Sequence, residues 1–263
     1  MAITRSFQSP SVDAALPAIR QISASDLWDA LAKGYDDFKA MPTHAVFLVI
    51  IYPVIGLLLA RASMDSNFLP LLYPLVGGFA LVGPFAAIGL YELSRRREQG
   101  LDVFASHAFD VFKSPAIVPI IELGALLMAL LLVWLGAAQA LYGWAFAGVR
   151  HDSLTGLAQA IVSRPEGLTL LIVGNLVGAL FAAIAFAATA VSFPLLLDRH
   201  VSLAVAVGTS VRAVLANPVT MTLWAIIIGA TLFVAALPLF VGLIVALPVL
   251  GHASWHLYRK VVA

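Results

Sequence analysis

Residues 219–257 read VTMTLWAIIIGATLFVAALPLFVGLIVALPVLGHASWHL, about 39 positions without a Lys, Arg, Asp or Glu. As one helix the run would be roughly 58 Å long at 1.5 Å per residue. The hydrocarbon core of a bilayer is only ~30 Å thick. Ala236-Leu237-Pro238 offers the break, because proline removes a backbone donor and clashes with the preceding turn. Split there, the run becomes two spans, and the chain ends on the side where it began.

Composition supports a membrane reading. Of 263 residues, 62% are hydrophobic and 11% charged, against about a quarter charged in a soluble domain. There is no cysteine, so neither a disulfide nor a thiolate metal site is available. The other apolar runs are about 44–60, 69–93, 115–148 and 168–197, giving six spans in all. Residues 1–22 lack a signal-peptide pattern and read as a mobile or loosely docked cytoplasmic arm before a single membrane domain, 23–263. With both termini in the cytoplasm, only Arg61, Arg150 and Arg164 of the 15 Lys and Arg residues fall outside. That bias follows the positive-inside rule.

A short amphipathic segment precedes spans 1, 3 and 5: SDLWDALAKGYDDFKAMP (25–42), GLDVFASHAFDVFKSP (100–115) and SLAVAVGTSVRAVLANP (202–218). Apolar residues recur in them every three or four positions, which predicts helices lying in the membrane interface. In the first, Leu27, Leu31, Phe38 and Met41 form the apolar side, with Asp29, Lys33, Asp36 and Asp37 opposite. Each segment ends in a proline that suits the start of the next helix, with Ser114 and Asn217 in N-cap positions. The fold class is therefore all-α and polytopic. Six transmembrane helices form three hairpin repeats (about 23–97, 98–200 and 201–263), each preceded by a cytoplasmic interfacial helix. A further short helix is expected on the outer side within 150–167.

Two return spans close alike. PFAAIGLYELSRR (84–96) and PVLGHASWHLYRK (248–260) align without a gap, and Glu92 stands where His256 stands. Ionisable groups within spans are costly and mark candidate sites. The candidates are Glu92, Glu122, His252 and His256, all at similar depth on the cytoplasmic side. His252 and His256 share a helix face, and packed repeats could bring Glu92 to His256. The plainer readings are an Arg95 or Arg96 partner for Glu92 and interfacial positions for the histidines. For Glu122 a buried structural hydrogen bond competes with a functional role. Two histidines on one helix are thin grounds for a metal, and no metal or other cofactor is expected. His44, His107, His151 and His200 read as surface or interfacial. Phosphate loops, nucleophile elbows, HExxH and dinucleotide fingerprints are absent.

GPFAAIGLYELSRRREQGLDVFASHAFDVFKSP (83–115) and LPVLGHASWHLYRK (247–260) resemble a bacterial integral membrane family of unknown function, DUF2189. The resemblance implies a multi-pass protein of the bacterial inner membrane with no assigned activity. Some family members carry a cytochrome c oxidase subunit label. This chain lacks the intramembrane histidines that two haems and copper require. The expected role is a non-catalytic accessory protein among membrane lipids, beside a larger bioenergetic complex with cytochrome c oxidase as the candidate. A carrier for a small or lipidic solute along a pseudo-threefold axis is the alternative. Nucleic acid is not an expected partner.

Overall fold

The computed structural model describes residues 16–41, 56, 69–147, 149, 154–238 and 241–263. The first expected span (apart from Gly56), His44 and His151 lie outside the described residues. Regular structure within them is helical throughout. The helices are α1 (Ala24–Ala40), α2 (Leu72–Ala86), α3 (Ile88–Glu98), α4 (Ile117–Phe146), α5 (Leu154–Ser163), α6 (Pro165–Thr189), α7 (Ser192–Arg199), α8 (Leu203–Ala216), α9 (Pro218–Ala236) and α10 (Leu243–Val261).

Among the described residues four helices are long and apolar enough to cross a membrane: Tyr73–Glu98, Ile117–Phe146, Pro165–Arg199 and Pro218–Ala236. The first is bent at Ala87, just past Pro84, and the third at Ala190–Val191. The 39-residue run does break after Ala236, and the chain turns into α10. A Cβ at Gly242 would meet the Ala235 carbonyl oxygen at 2.6 Å, so the α9–α10 corner is closed tightly by a residue without one.

The best-packed core gathers at one end of the bundle, the polar end. Phe193, Leu195 and Leu196 of α7 are fully buried there, with Trp224 of α9 and Trp255 and Tyr258 of α10. Farther along, the helices expose their apolar surfaces. Only 6% of the most apolar stretch of Pro165–Arg199 is buried. Hydrocarbon tails are as apolar as leucine, so bare apolar flanks cost nothing in a membrane, and small residues set where helices touch. Gly178, for example, faces the Trp134 ring at a distance that leaves a Cβ only 3.1 Å.

Two amphipathic segments depart from their expected form. The second is a 3-10 helix, Ala105–Lys113, rather than an α-helix. Its contacts run at the three-residue spacing that 3-10 geometry eclipses: the Phe109 and Phe112 rings stack, and Lys113 pairs with Asp110 at 3.0 Å. In α1 the buried stripe is Leu27, Ala30, Gly34 and Asp37, while Leu31 and Phe38 are half-buried. The stripe is rotated from the expected one because α1 lies directly on α10. A Cβ at Gly34 would sit 2.6 Å from the Ala253 nitrogen, so small residues face the partner helix.

The chain ends are tied together. Ile19 and Val262 form an antiparallel bridge, with Arg20 N–H donating to the Val261 carbonyl at 2.8 Å and Ala263 N–H to that of Ala18 at 2.9 Å. Asn217 accepts Ile22 N–H at 2.8 Å and donates to the Arg20 carbonyl at 3.1 Å. Its side chain thus anchors residues 16–22 instead of capping α9. The described part of the N-terminal arm is therefore firmly docked.

Candidate functional site

The polar end has Asp37 at its centre. α1 carries it to the line where α3 and α10 meet, and the residue is only 3% exposed. Its Oδ2 accepts the Ser94 hydroxyl at 2.6 Å and lies 2.9 Å from His256 Nε2, while Oδ1 is bound by the Arg97 guanidinium. Ser94 Oγ also lies 2.7 Å from His252 Nδ1. One carboxylate thus ties three helices together. Burial pushes the Asp37 carboxyl up, but the His256, Ser94 and Arg97 hydrogen bonds outweigh it and hold the group at about 2. Asp37 is therefore an anion at neutral pH.

Around this hub the remaining charges are paired. Lys260 reaches Asp26 and Asp29, each at 2.9 Å, fastening the end of α10 to the start of α1. Arg259 bridges Glu98 at 3.1 Å and Asp198 at 3.3 Å, the Trp255 indole donates to Glu98, and the Tyr258 hydroxyl to Asp198. An open depression lined by Lys33, Asp36, Asp37, Arg97, Glu98 and His256 leads from solvent to the hub.

The four residues singled out by sequence take different positions. His252 is fully buried and His256 partly buried, and both belong to the Asp37 hub. Glu92 is 2% exposed and is held bidentately by Arg95 of its own helix at 2.8 and 2.9 Å, with Arg96 3.8 Å away. His256 therefore pairs with Asp37, and Glu92 with arginine. Glu122 stands apart, exposed on α4. Among the described residues no group of three His, Cys, Asp or Glu side chains is arranged to hold a metal ion.

Asp37, Ser94 and Arg97 were not singled out by sequence. The sequence pattern puts Asp37 on the polar side of α1, because the groups that neutralise it lie 57, 60 and 219 positions away. A signal was present: Ala30 and Gly34, one helical turn apart in line with Asp37, mark a face built for close docking.

Helices of this length and apolarity, with a charged network at one end, define an integral membrane protein of all-helical type. Residues 72–198 match a family model described as "Predicted integral membrane protein (DUF2189)". The match covers the YELSRRRE stretch, while the GHASWH stretch lies beyond it. No curated protein and no solved structure gives a significant match.

Proposed function

We propose that the chain is a six-span accessory protein of the bacterial inner membrane, with both termini cytoplasmic. It acts without catalysis, beside a larger bioenergetic complex. Helix ends support the six crossings. Met41 packs with Leu93 at the polar end, whereas Leu69 precedes the far end of the same bent helix, ~30 Å away at 1.5 Å per residue. α9 leaves the polar end at Asn217, and α10 returns to it at Lys260, which adds a closing hairpin. The Ile19–Val262 bridge keeps residues 19 and 262 side by side, which supports an even number of crossings. The arginines and lysines collected at that end favour a cytoplasmic location.

The observation that carries the accessory reading is the Asp37 hub. Its acid is fully engaged in joining α1, α3 and α10, so the polar groups at this end build a rigid cap. The apolar flanks of α4 and α6 supply lipid and protein contact surface. The cytochrome c oxidase label within the similar family supplies the candidate complex. Purification from native membranes in mild detergent tests the reading: respiratory subunits should migrate with the chain. Migration alone, with full retention of the α1 cap, defeats it.

A further inference from the structure

Of the three amphipathic segments expected in the membrane interface, the second keeps a whole apolar row bare. In the 3-10 helix Ala105–Lys113, side chains three positions apart eclipse one another, so its residues stand in rows. Ala108 and Val111 form the inner row, both buried, and Ala108 packs with Leu93 and Met41. His107, Asp110 and Lys113 form a polar row. Asp110 holds Lys113 at 3.0 Å and lies 3.7 Å from Arg96, which also donates to the Asp102 carbonyl at 3.1 Å. Arg96 thus pins this row to α3. The third row carries Phe109 and Phe112. Their rings stack on each other and are 53% and 69% exposed.

Two observations say what covers that row. The first is its level. Ile117 N–H donates to the Ser114 carbonyl at 3.0 Å, so the segment turns directly into α4. α4 has 30 residues, roughly 45 Å, which is the thickness of a bilayer with its headgroup layers. The polar-end start of α4, and the segment that turns into it, therefore stand at headgroup level. The second is continuity. The bare rings lead along the chain into Val118 and Ile121, 60% and 56% exposed at the start of α4, a helix apolar enough to cross a membrane. Phenylalanine on one side and charge on another is the make-up of a helix lying in the interface plane. In water the two rings would forgo the burial of their apolar surface.

We infer that the 3-10 helix is a foot seated in the bilayer surface at the polar end. Phe109 and Phe112 dip into the boundary between headgroups and acyl chains, while Arg96 holds the polar row against α3. The occupant of the bare row is lipid. This goes beyond the accessory reading and does not rest on it.

The chain has no cysteine, so a single introduced one takes a nitroxide label alone. Phe109→Cys, Asp110→Cys, Phe112→Cys and Lys113→Cys are labelled and reconstituted in vesicles of phosphatidylethanolamine and phosphatidylglycerol. Collisions with oxygen, which concentrates in lipid, are compared with collisions with a nickel chelate, which stays in water. Leu176→Cys on α6 and Lys39→Cys on α1, both exposed positions, give the lipid and water references. The oxygen-to-chelate ratio should rise towards the Leu176 value at 109 and 112 and fall towards the Lys39 value at 110 and 113. Chelate-dominated collisions at 109 and 112 would put the rings in water and overturn the inference. Shielding of both positions from both reagents would mean that protein covers the row, either residues 42–68 of this chain or a partner, and overturns it too. An oxygen signal without the alternation would mean a segment rolling freely in lipid, and the pinned foot falls. Copurification decides the accessory reading separately, whatever the labels report.

Discussion

Asp37 and Ser94 lie 57 positions apart in the chain and meet at 2.6 Å, hydroxyl to carboxylate, both buried at the polar end. That contact and those of Arg97 and His256 hold α1 against α3 and α10. Asp37→Ala leaves three polar groups without their acceptor, one of them in the fully buried Ser94–His252 pair. We expect a loss of about 2–3 kcal/mol, below the upper range for buried ion pairs because Arg97 is half-exposed. Hydrogen exchange should show α1 opening while α4 and α6 stay protected.

The pH dependence follows from the same carboxylate. Its folded pKa, about 2, lies below the ordinary value of 3.8. Between these values the unfolded chain binds more protons than the folded one, so stability falls as the pH falls. The contribution is fully present above pH 4 and is lost towards pH 2, amounting to about 2 kcal/mol. Asp26 is also drawn down to about 2, first by the Ser23 N–H and then by Lys260, and acts in the same direction. Melting in detergent from pH 6 to pH 2 should show this decline, and Asp37→Asn should flatten it in part.

Gly34 and Gly136 separate packing from helix propensity. A Cβ at Gly34 would meet Ala253 N at 2.6 Å and the Val249 carbonyl oxygen at 2.7 Å, both backbone atoms of α10 that cannot swing away. Gly34→Ala should therefore destabilise by about 1–3 kcal/mol, although alanine favours helix. Among the described residues nothing lies within 4 Å of a Cβ at Gly136, so Gly136→Ala should hold or raise the melting temperature of the isolated chain. Equal effects of the two substitutions would refute the close α1–α10 contact.

Local signals foretold much of this structure. Pro218 opens α9, Ala236 closes it, and the apolar period of 115–148 becomes α4. These are properties of neighbouring residues, which a sequence displays directly. The hub is different. Asp37 looks like a solvated acid until α10 folds back across it, and Asn217 looks like a cap until Ile22 arrives. Both depend on residues about 200 positions away, and no local period encodes such a meeting. Glu92 was legible in its plainer form, because its arginine lies one turn along the same helix.

The last prediction concerns the tautomer of His252. Asp37 is ionised, so it can only accept, and the single Ser94 proton must go to it. Ser94 Oγ is then the acceptor for His252 Nδ1, which must carry hydrogen. Neutral His252 is thereby fixed as the Nδ1–H form, and its buried Nε2 makes no hydrogen bond of good geometry among the described residues. Nitrogen-15 shifts of labelled protein at pH 8 should report Nδ1–H at His252. Ser94→Ala removes the acceptor that selects this form, and the imidazole should move towards Nε2–H with the α1 contacts of Arg97 and His256 intact. An Nε2–H signal in the parent would mean that Ser94 donates to His252 instead, and the ionised Asp37 hub would have to be abandoned.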